Sequence, residues 1–353
     1  MNKTGANMKK IKRNLILPSE FLNNWQTQNE DGTFCFKYID FVSDKIEEIR
    51  IDNVPFIEVL FSDYENYDLK KIIKQFNQIS KVAKAIIDKR IKKNKDNIEV
   101  TGKEVLFLKY FYFLITIING EYKYSFSNSN KKYRIFDVLN KEVQEDYRLI
   151  ILDIVSYVLF EMYDYIFSKR TFESLYEYVE DSSINFDLQE YQKRIIIPYD
   201  ILVTQNYKFL DVYFHNIVNN TFFKFFRISD LDRETFLLTN KTVANFIDDR
   251  TKINILSIFV IDPKMAIGLV NLGPGRGEYR PLFKYFNESV INKEIMPYCL
   301  SPEHKIEQDG IYLSGDQRFK FSIFELIENQ VKLINDCLTY RDLKSDFEQF
   351  IKY

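Results

Sequence analysis

The hydrophobic spacing of this chain changes at Tyr207, and that change limits the fold more than any motif does. Before it, Leu69, Ile72, Ile73, Phe76, Ile79, Val82, Ala83, Ile86 and Ile87 recur at three- and four-residue steps. That is the repeat of an amphipathic helix. After it, short aromatic and β-branched runs are parted by turn sequences, which is strand chemistry. Helices and strands grouped in blocks, rather than alternating, predict an α+β fold.

Residues 1–12 read as a flexible basic arm, and 13–353 as a single α+β unit, because no Pro/Gly/Ser-rich linker divides it. Within that unit, 13–60 carries N-terminal strands, 61–206 a helical block, and 207–353 a sheet closed by a long helix. Strands are expected at 33–40 and 46–54, after the turn Asn29-Glu30-Asp31-Gly32, as an antiparallel pair packed onto the later sheet. Helices are expected at 69–95, 101–118, 140–168, 172–179 and 188–206, with Pro198 breaking the last. Thr101 and Glu104 have the spacing of a capping box. Strands follow at 209–214, 222–228, 235–238, 255–261 and 265–270, then helices at 280–295 and 323–350.

The net charge of -2 lacks the basic balance of a protein that coats duplexes, so nucleic acid is not indicated as a partner by net charge. The densest basic run, Lys89-Arg90-Ile91-Lys92-Lys93-Asn94-Lys95, reads first as a solvated helix C-terminus. Cys35, Cys299 and Cys337 have neither disulfide nor zinc spacing, which points to a reducing compartment. The apolar stretch 105–118 is too short to span a bilayer and is broken by Lys109. A cytoplasmic protein with no membrane partner is the expectation.

No catalytic constellation is complete. His215 and His304 are the two histidines, and no Gly-x-Ser-x-Gly elbow accompanies them. The cluster Gly273-Pro274-Gly275-Arg276-Gly277 lies between a strand and a helix candidate, where an anion would be cradled, with Arg276 as the cation. Its spacing matches neither phosphate-loop pattern. Gly273, Gly275, Arg276 and Gly277 are the ligand-binding candidates. Among the carboxylates, Asp262 and Asp316 are the metal-ligand candidates, while Asp230, Asp232 and Glu234 have calcium-like spacing without the glycine such a loop needs. The residues name no cofactor. The aromatic runs Tyr110-Phe111-Tyr112-Phe113 and Phe222-Phe223-Lys224-Phe225-Phe226 occupy adjacent positions, so they face both sides of an element and predict core.

Three short boxes carry a resemblance. Arg13-Asn14-Leu15-Ile16-Leu17-Pro18-Ser19-Glu20-Phe21-Leu22-Asn23-Asn24-Trp25 precedes a turn and a strand. Phe236-Leu237-Leu238-Thr239-Asn240-Lys241-Thr242-Val243 lies further on, and Ile258-Phe259-Val260-Ile261-Asp262-Pro263-Lys264 follows. Together with the closing helix and its Asn335, their order resembles the bacterial domain-of-unknown-function family 4238. The resemblance implies the architecture over most of the chain. It departs where chemistry would sit: Arg13 and Asn14 stand where the family has tandem histidines, Asn240 replaces an Asp and Thr242 a Pro. Amides do not exchange protons near neutral pH as imidazole or carboxylate does. Pro18 and Thr239 remain as structural positions.

Two functions are expected from this reading. One is a non-catalytic binding or sensing protein with a protein partner or self-association, for which the resemblance implies a phage-defence or toxin-like setting. The other is a metal-dependent effector enzyme, a nuclease or nucleotide-processing protein using clustered carboxylates. The first is the favoured reading, because no catalytic constellation is complete and the boxes lack the histidines and the Asp; the enzyme is the alternative.

Overall fold

The computed structural model describes residues 18–28, 30, 32, 34–40, 45–50, 68–93, 97–118, 123–125, 132–133, 145–169, 196–197, 207, 210, 214, 217, 221–229, 234–239, 243–247, 254–271, 318–339 and 345–346. In chain order the helices are α1 (Ser19–Leu22), α2 (Leu69–Ile86), α3 (Gly102–Ile118), α4 (Glu145–Tyr157) and α5 (Glu328–Thr339). The strands are β1 (Thr27–Gln28), β2 (Phe34–Asp40), β3 (Lys45–Arg50), β4 (Asn97–Thr101), β5 (Lys123–Ser125), β6 (Lys132–Tyr133), β7 (Ile196–Ile197), β8 (Thr221–Ile228), β9 (Val243–Ile247), β10 (Asn254–Asp262), β11 (Met265–Asn271), β12 (Arg318–Leu326) and β13 (Ser345–Asp346). The α+β class holds.

The main sheet has seven strands in the order β13-β9-β10-β11-β8-β12-β4. β9, β10, β11 and β8 are antiparallel neighbours. β12 runs parallel to β8 and antiparallel to β4, and β13 runs parallel to β9. Every residue of 255–262 is buried, so β10 is covered on both faces. β1, β2 and β3 form a separate three-stranded sheet, as do β6, β5 and β7. The expected N-terminal strand pair is therefore present as its own sheet. The link from this end of the chain to the main sheet is made by α1 and the turn Asn23–Trp25.

α3 is the centre of the core. Its residues 105–118 are all buried, as is Gly102. A helix apolar all round has to be enclosed on all sides. Phe111 stacks on Phe21 at 5.5 Å and meets Phe259 of β10 edge-on at 5.9 Å. Tyr110, the adjacent residue, faces another layer, against Tyr163, Phe167 and Phe214 at 5.4–5.9 Å. Its hydroxyl donates to the Val158 carbonyl at 2.5 Å. Burial raises the Tyr110 pKa well above the usual phenol value. The one cation within the buried stretch of the helix, Lys109, donates from Nζ to the Thr221 carbonyl at 2.6 Å, where β8 begins. The aromatic runs are thus core, as their adjacency predicts.

α2 is capped by Asp68, whose carboxylate accepts from Lys71 N at 3.1 Å. Its buried stripe is Ile72, Phe76, Ile79, Ala83, Ile87 and Ile91. Repeated four-residue steps drift around a regular α-helix. The helix widens to π geometry over Ile87–Lys92, which brings Ile87 and Ile91 back onto the buried stripe. The capping box of α3 forms in both directions. Thr101 N donates to Glu104 Oε2 at 2.8 Å, and Glu104 N donates to Thr101 Oγ1 at 3.3 Å.

Several expectations need correction. Leu210, Phe214 and Ile217 are buried and helical, so the two described positions of the expected strand 209–214 are not strand; their four- and three-residue spacing outweighs their aromatic content. Residues 235–238 belong to no strand. The closing helix is shorter than 323–350, because Ile323–Leu326 completes β12 and Ser345–Asp346 is a strand. β4 lies in a stretch with no expected strand, and β7 falls within the expected helix 188–206.

Candidate functional site

The tip of the β10–β11 hairpin, Asp262-Pro263-Lys264, gathers contacts from several parts of the chain. Asp262 Oδ1 accepts from Lys264 N at 2.8 Å, which closes the turn locally. Its other oxygen, Oδ2, lies 2.9 Å from Lys92 Nζ, at the end of the widened helix after α2. The Lys264 backbone carbonyl accepts from Ile228 N at 2.9 Å, and the Pro263 carbonyl accepts from Phe236 N at 2.9 Å. Lys264 Nζ donates to the Ser229 carbonyl at 3.3 Å and the Glu234 carbonyl at 3.0 Å.

The N-terminal box reaches the same place. Pro18 is buried and its carbonyl accepts from Phe21 N and Leu22 N, which starts α1. The following turn projects Asn24, whose Nδ2 donates to the Ile261 carbonyl at 3.0 Å, and Trp25, whose Nε1 donates to the Phe236 carbonyl at 3.2 Å. α5 supplies Asn335. Its Oδ1 accepts from Leu237 N at 3.0 Å and its Nδ2 donates to the Thr235 carbonyl at 2.9 Å. Thr239 is buried and donates to the Leu338 carbonyl at 3.3 Å. The three sequence boxes and Asn335, widely separated in the chain, therefore interlock through side chain to backbone hydrogen bonds.

These bonds are structural in kind. A strap outside any strand, such as 235–238, has backbone groups that no strand neighbour satisfies, and buried groups of that sort need partners. Asn335, Trp25 and the Pro263 carbonyl supply them. Asp262 is buried with both oxygens engaged, one by Lys92 and the other by a backbone N–H.

A second buried charge lies elsewhere on the sheet. Lys224, in the middle of β8, is fully buried and has its Nζ 4.9 Å from the centre of the Phe324 ring. Burial lowers its pKa to about 8. It shares a sheet face with Phe226, whose ring lies over Gly268: a Cβ at Gly268 would stand 2.4 Å from Phe226 Cε2. The run Phe222-Phe223-Lys224-Phe225-Phe226 is legible as a strand with a lysine inside it. The adjacency of its phenylalanines marks them as core, and no motif singles out the lysine.

Of the positions singled out in sequence, Pro18, Thr239 and Asp262 converge here. Arg13, Asn14, Asn240, Gly273, Gly275, Arg276, Gly277, Asp316, His215 and His304 lie outside the described residues. No group of three or more His, Cys, Asp or Glu side chains with metal-holding geometry occurs among the described residues. No helix among them is long and apolar enough to cross a membrane. No family model, curated protein or solved structure matches the chain.

Proposed function

We propose that this chain is a non-catalytic binding or sensing protein. The observation that carries the reading is the state of Asp262. It is the metal-ligand candidate that falls within the described residues, and its two oxygens serve Lys92 and Lys264 N. A metal-dependent hydrolase needs several carboxylates that converge on a cation. An ammonium at 2.9 Å opposes a second cation at the same oxygen. The polar side chains around the hairpin tip satisfy backbone groups, which suits a rigid platform that presents a surface. A partner macromolecule, rather than a small substrate, is the class of ligand such a platform serves.

The test is a search for turnover. The full chain is incubated with labelled single- and double-stranded oligonucleotides and with nucleoside triphosphates, in Mg²⁺ and in Mn²⁺. The reading expects intact substrates in every case. Hydrolysis that disappears in Asp262→Asn would replace it with the metal-dependent effector enzyme.

A further inference from the structure

We infer that the exposed face of α2 and its π-helical extension is a docking surface for the phosphate backbone of double-helical nucleic acid. The inference rests on the binding-protein reading above and names its partner. Over residues 69–93 the sequence holds nine Lys and Arg against a single acidic residue, Asp88. The net charge of -2 therefore conceals a segregation: the rest of the chain is acidic and this element is strongly basic. A whole-chain charge says little about a protein in which one helix carries a large local excess of cations over carboxylates.

The geometry sorts eight of these cations into two sets, and the ninth, Lys71, has its Nζ 4.8 Å from the centre of the Phe160 ring. Arg90 is spent on Glu104 at 2.9 Å, Lys92 on Asp262 and Asp88, and Lys84 on Asp88 at 2.6 Å. The Arg90–Glu104 and Lys92–Asp262 pairs fix the helix end to α3 and to the sheet, while the two pairs to Asp88 stay within the helix. The second set, Lys70, Lys74, Lys81, Lys89 and Lys93, is exposed, and none of these pairs with a carboxylate among the described residues. Asp88 is already held by Lys84 and Lys92, so it leaves the outer band positive. From Lys70 to Lys89 the band runs for about 28 Å at about 1.5 Å per residue. A duplex offers one phosphate charge per roughly 1.7 Å of axis, so a straight row of this length meets many of them.

The kind of polyanion follows from what else the face carries. Between the lysines it exposes Gln78, Val82 and Ala85 and no aromatic side chain. Single strands are held by base stacking on aromatic rings as well as by charge, so this face lacks half of that recognition. Helices that lie in a bilayer surface bury an apolar stripe in it. Here that stripe, from Ile72 to Ile91, is spent on the protein core, and Val82 is the exposed large apolar residue on the helix.

The test measures affinity for a fluorescent duplex of about twenty base pairs by anisotropy, between about 50 and 200 mM salt, the range over which phosphate contacts lose affinity steeply. Probes of the matching single strand and of phosphatidylserine vesicles are run beside it. The variant carries Lys70→Gln, Lys74→Gln, Lys81→Gln and Lys89→Gln, and the two halves of that set are also made as pairs. A control carries Lys103→Gln and Lys332→Gln, exposed lysines outside the band. Wild type and control should bind duplex in preference to the other two probes. The fourfold variant should lose at least about tenfold in affinity at low salt, with its log–log salt slope shallower by roughly 3 to 4, and each pair should give about half of that. Unchanged melting temperatures mark the variants as folded, and the pairs serve if the fourfold variant is not. No duplex binding by the wild type, binding indifferent to the lysine changes, or preference for single strands or vesicles would each overturn the inference. Duplex that is bound through the lysines and also cut would leave the docking surface standing and refute the non-catalytic reading instead.

Discussion

Lys92, at the end of the widened helix, holds Asp262, at the tip of the β10–β11 hairpin, with Nζ and Oδ2 2.9 Å apart. The pair joins the helical layer to the sheet, and both side chains are largely shielded from solvent. Removing one partner strands the other, so Lys92→Met and Asp262→Asn should each destabilise by about 1–3 kcal/mol. A double-mutant cycle in urea should give a coupling energy of about 1 kcal/mol. A coupling of zero would mean that the two side chains act independently.

Gly268 has no room for a side chain. A Cβ added there would lie 2.4 Å from Phe226 Cε2 and 3.1 Å from Leu256 Cδ1. Gly268→Ala should therefore cost about 1–3 kcal/mol by overpacking. Adding Phe226→Leu should recover part of that loss in a denaturant titration. Additive losses would show that the ring is not the obstacle.

Lys224 gives a pH dependence with a definite sign. Its folded pKa is lowered by burial from 10.5 to about 8. Between those values the unfolded state binds more protons than the folded state, so this residue makes stability rise with pH across that window. Below about pH 8 the buried charge is a penalty; above pH 10.5 the penalty is gone. Lys224→Met, which keeps the length and removes the charge, should be more stable than wild type at pH 7 by a few kcal/mol. That advantage should shrink by about pH 10, measured as the difference in urea unfolding free energy. A constant difference would show that Lys224 does not titrate in that range.

The strap 235–238 should depend on its side-chain partners. Asn335→Leu removes two hydrogen bonds, to Leu237 N and the Thr235 carbonyl, and should cost about 2–4 kcal/mol. Trp25→Phe keeps most of the ring and loses the bond to the Phe236 carbonyl, so about 1 kcal/mol is expected. Equal losses from the two changes would contradict this account of the strap.

How much of this is legible in the sequence depends on whether the signal is local. The Thr101–Glu104 capping box, the buried run Tyr110–Phe113 and the strands either side of Asp262-Pro263-Lys264 all follow from short-range pattern, and the structure contains them. β4 escapes a reading of local pattern because its five residues pair with β12, which lies far along the chain. The closing helix is shorter than its apolar pattern suggests. Its start is marked by Gln330, whose Oε1 accepts from Ile327 N at 3.1 Å, a half capping box that the apolar residues of β12 obscure. At the candidate site, Asp262 stands out in sequence as a carboxylate and Lys92 as part of a basic run. Their pairing depends on how layers stack, which spacing does not encode.

We propose that Asp262 is a structural carboxylate and not a metal ligand. Thermal unfolding of the full chain with and without millimolar Mn²⁺ tests it most directly, because a cation that binds the folded state alone raises the melting temperature. The melting temperature should be the same in both. A rise of several degrees with Mn²⁺ that vanishes in Asp262→Ala would contradict it.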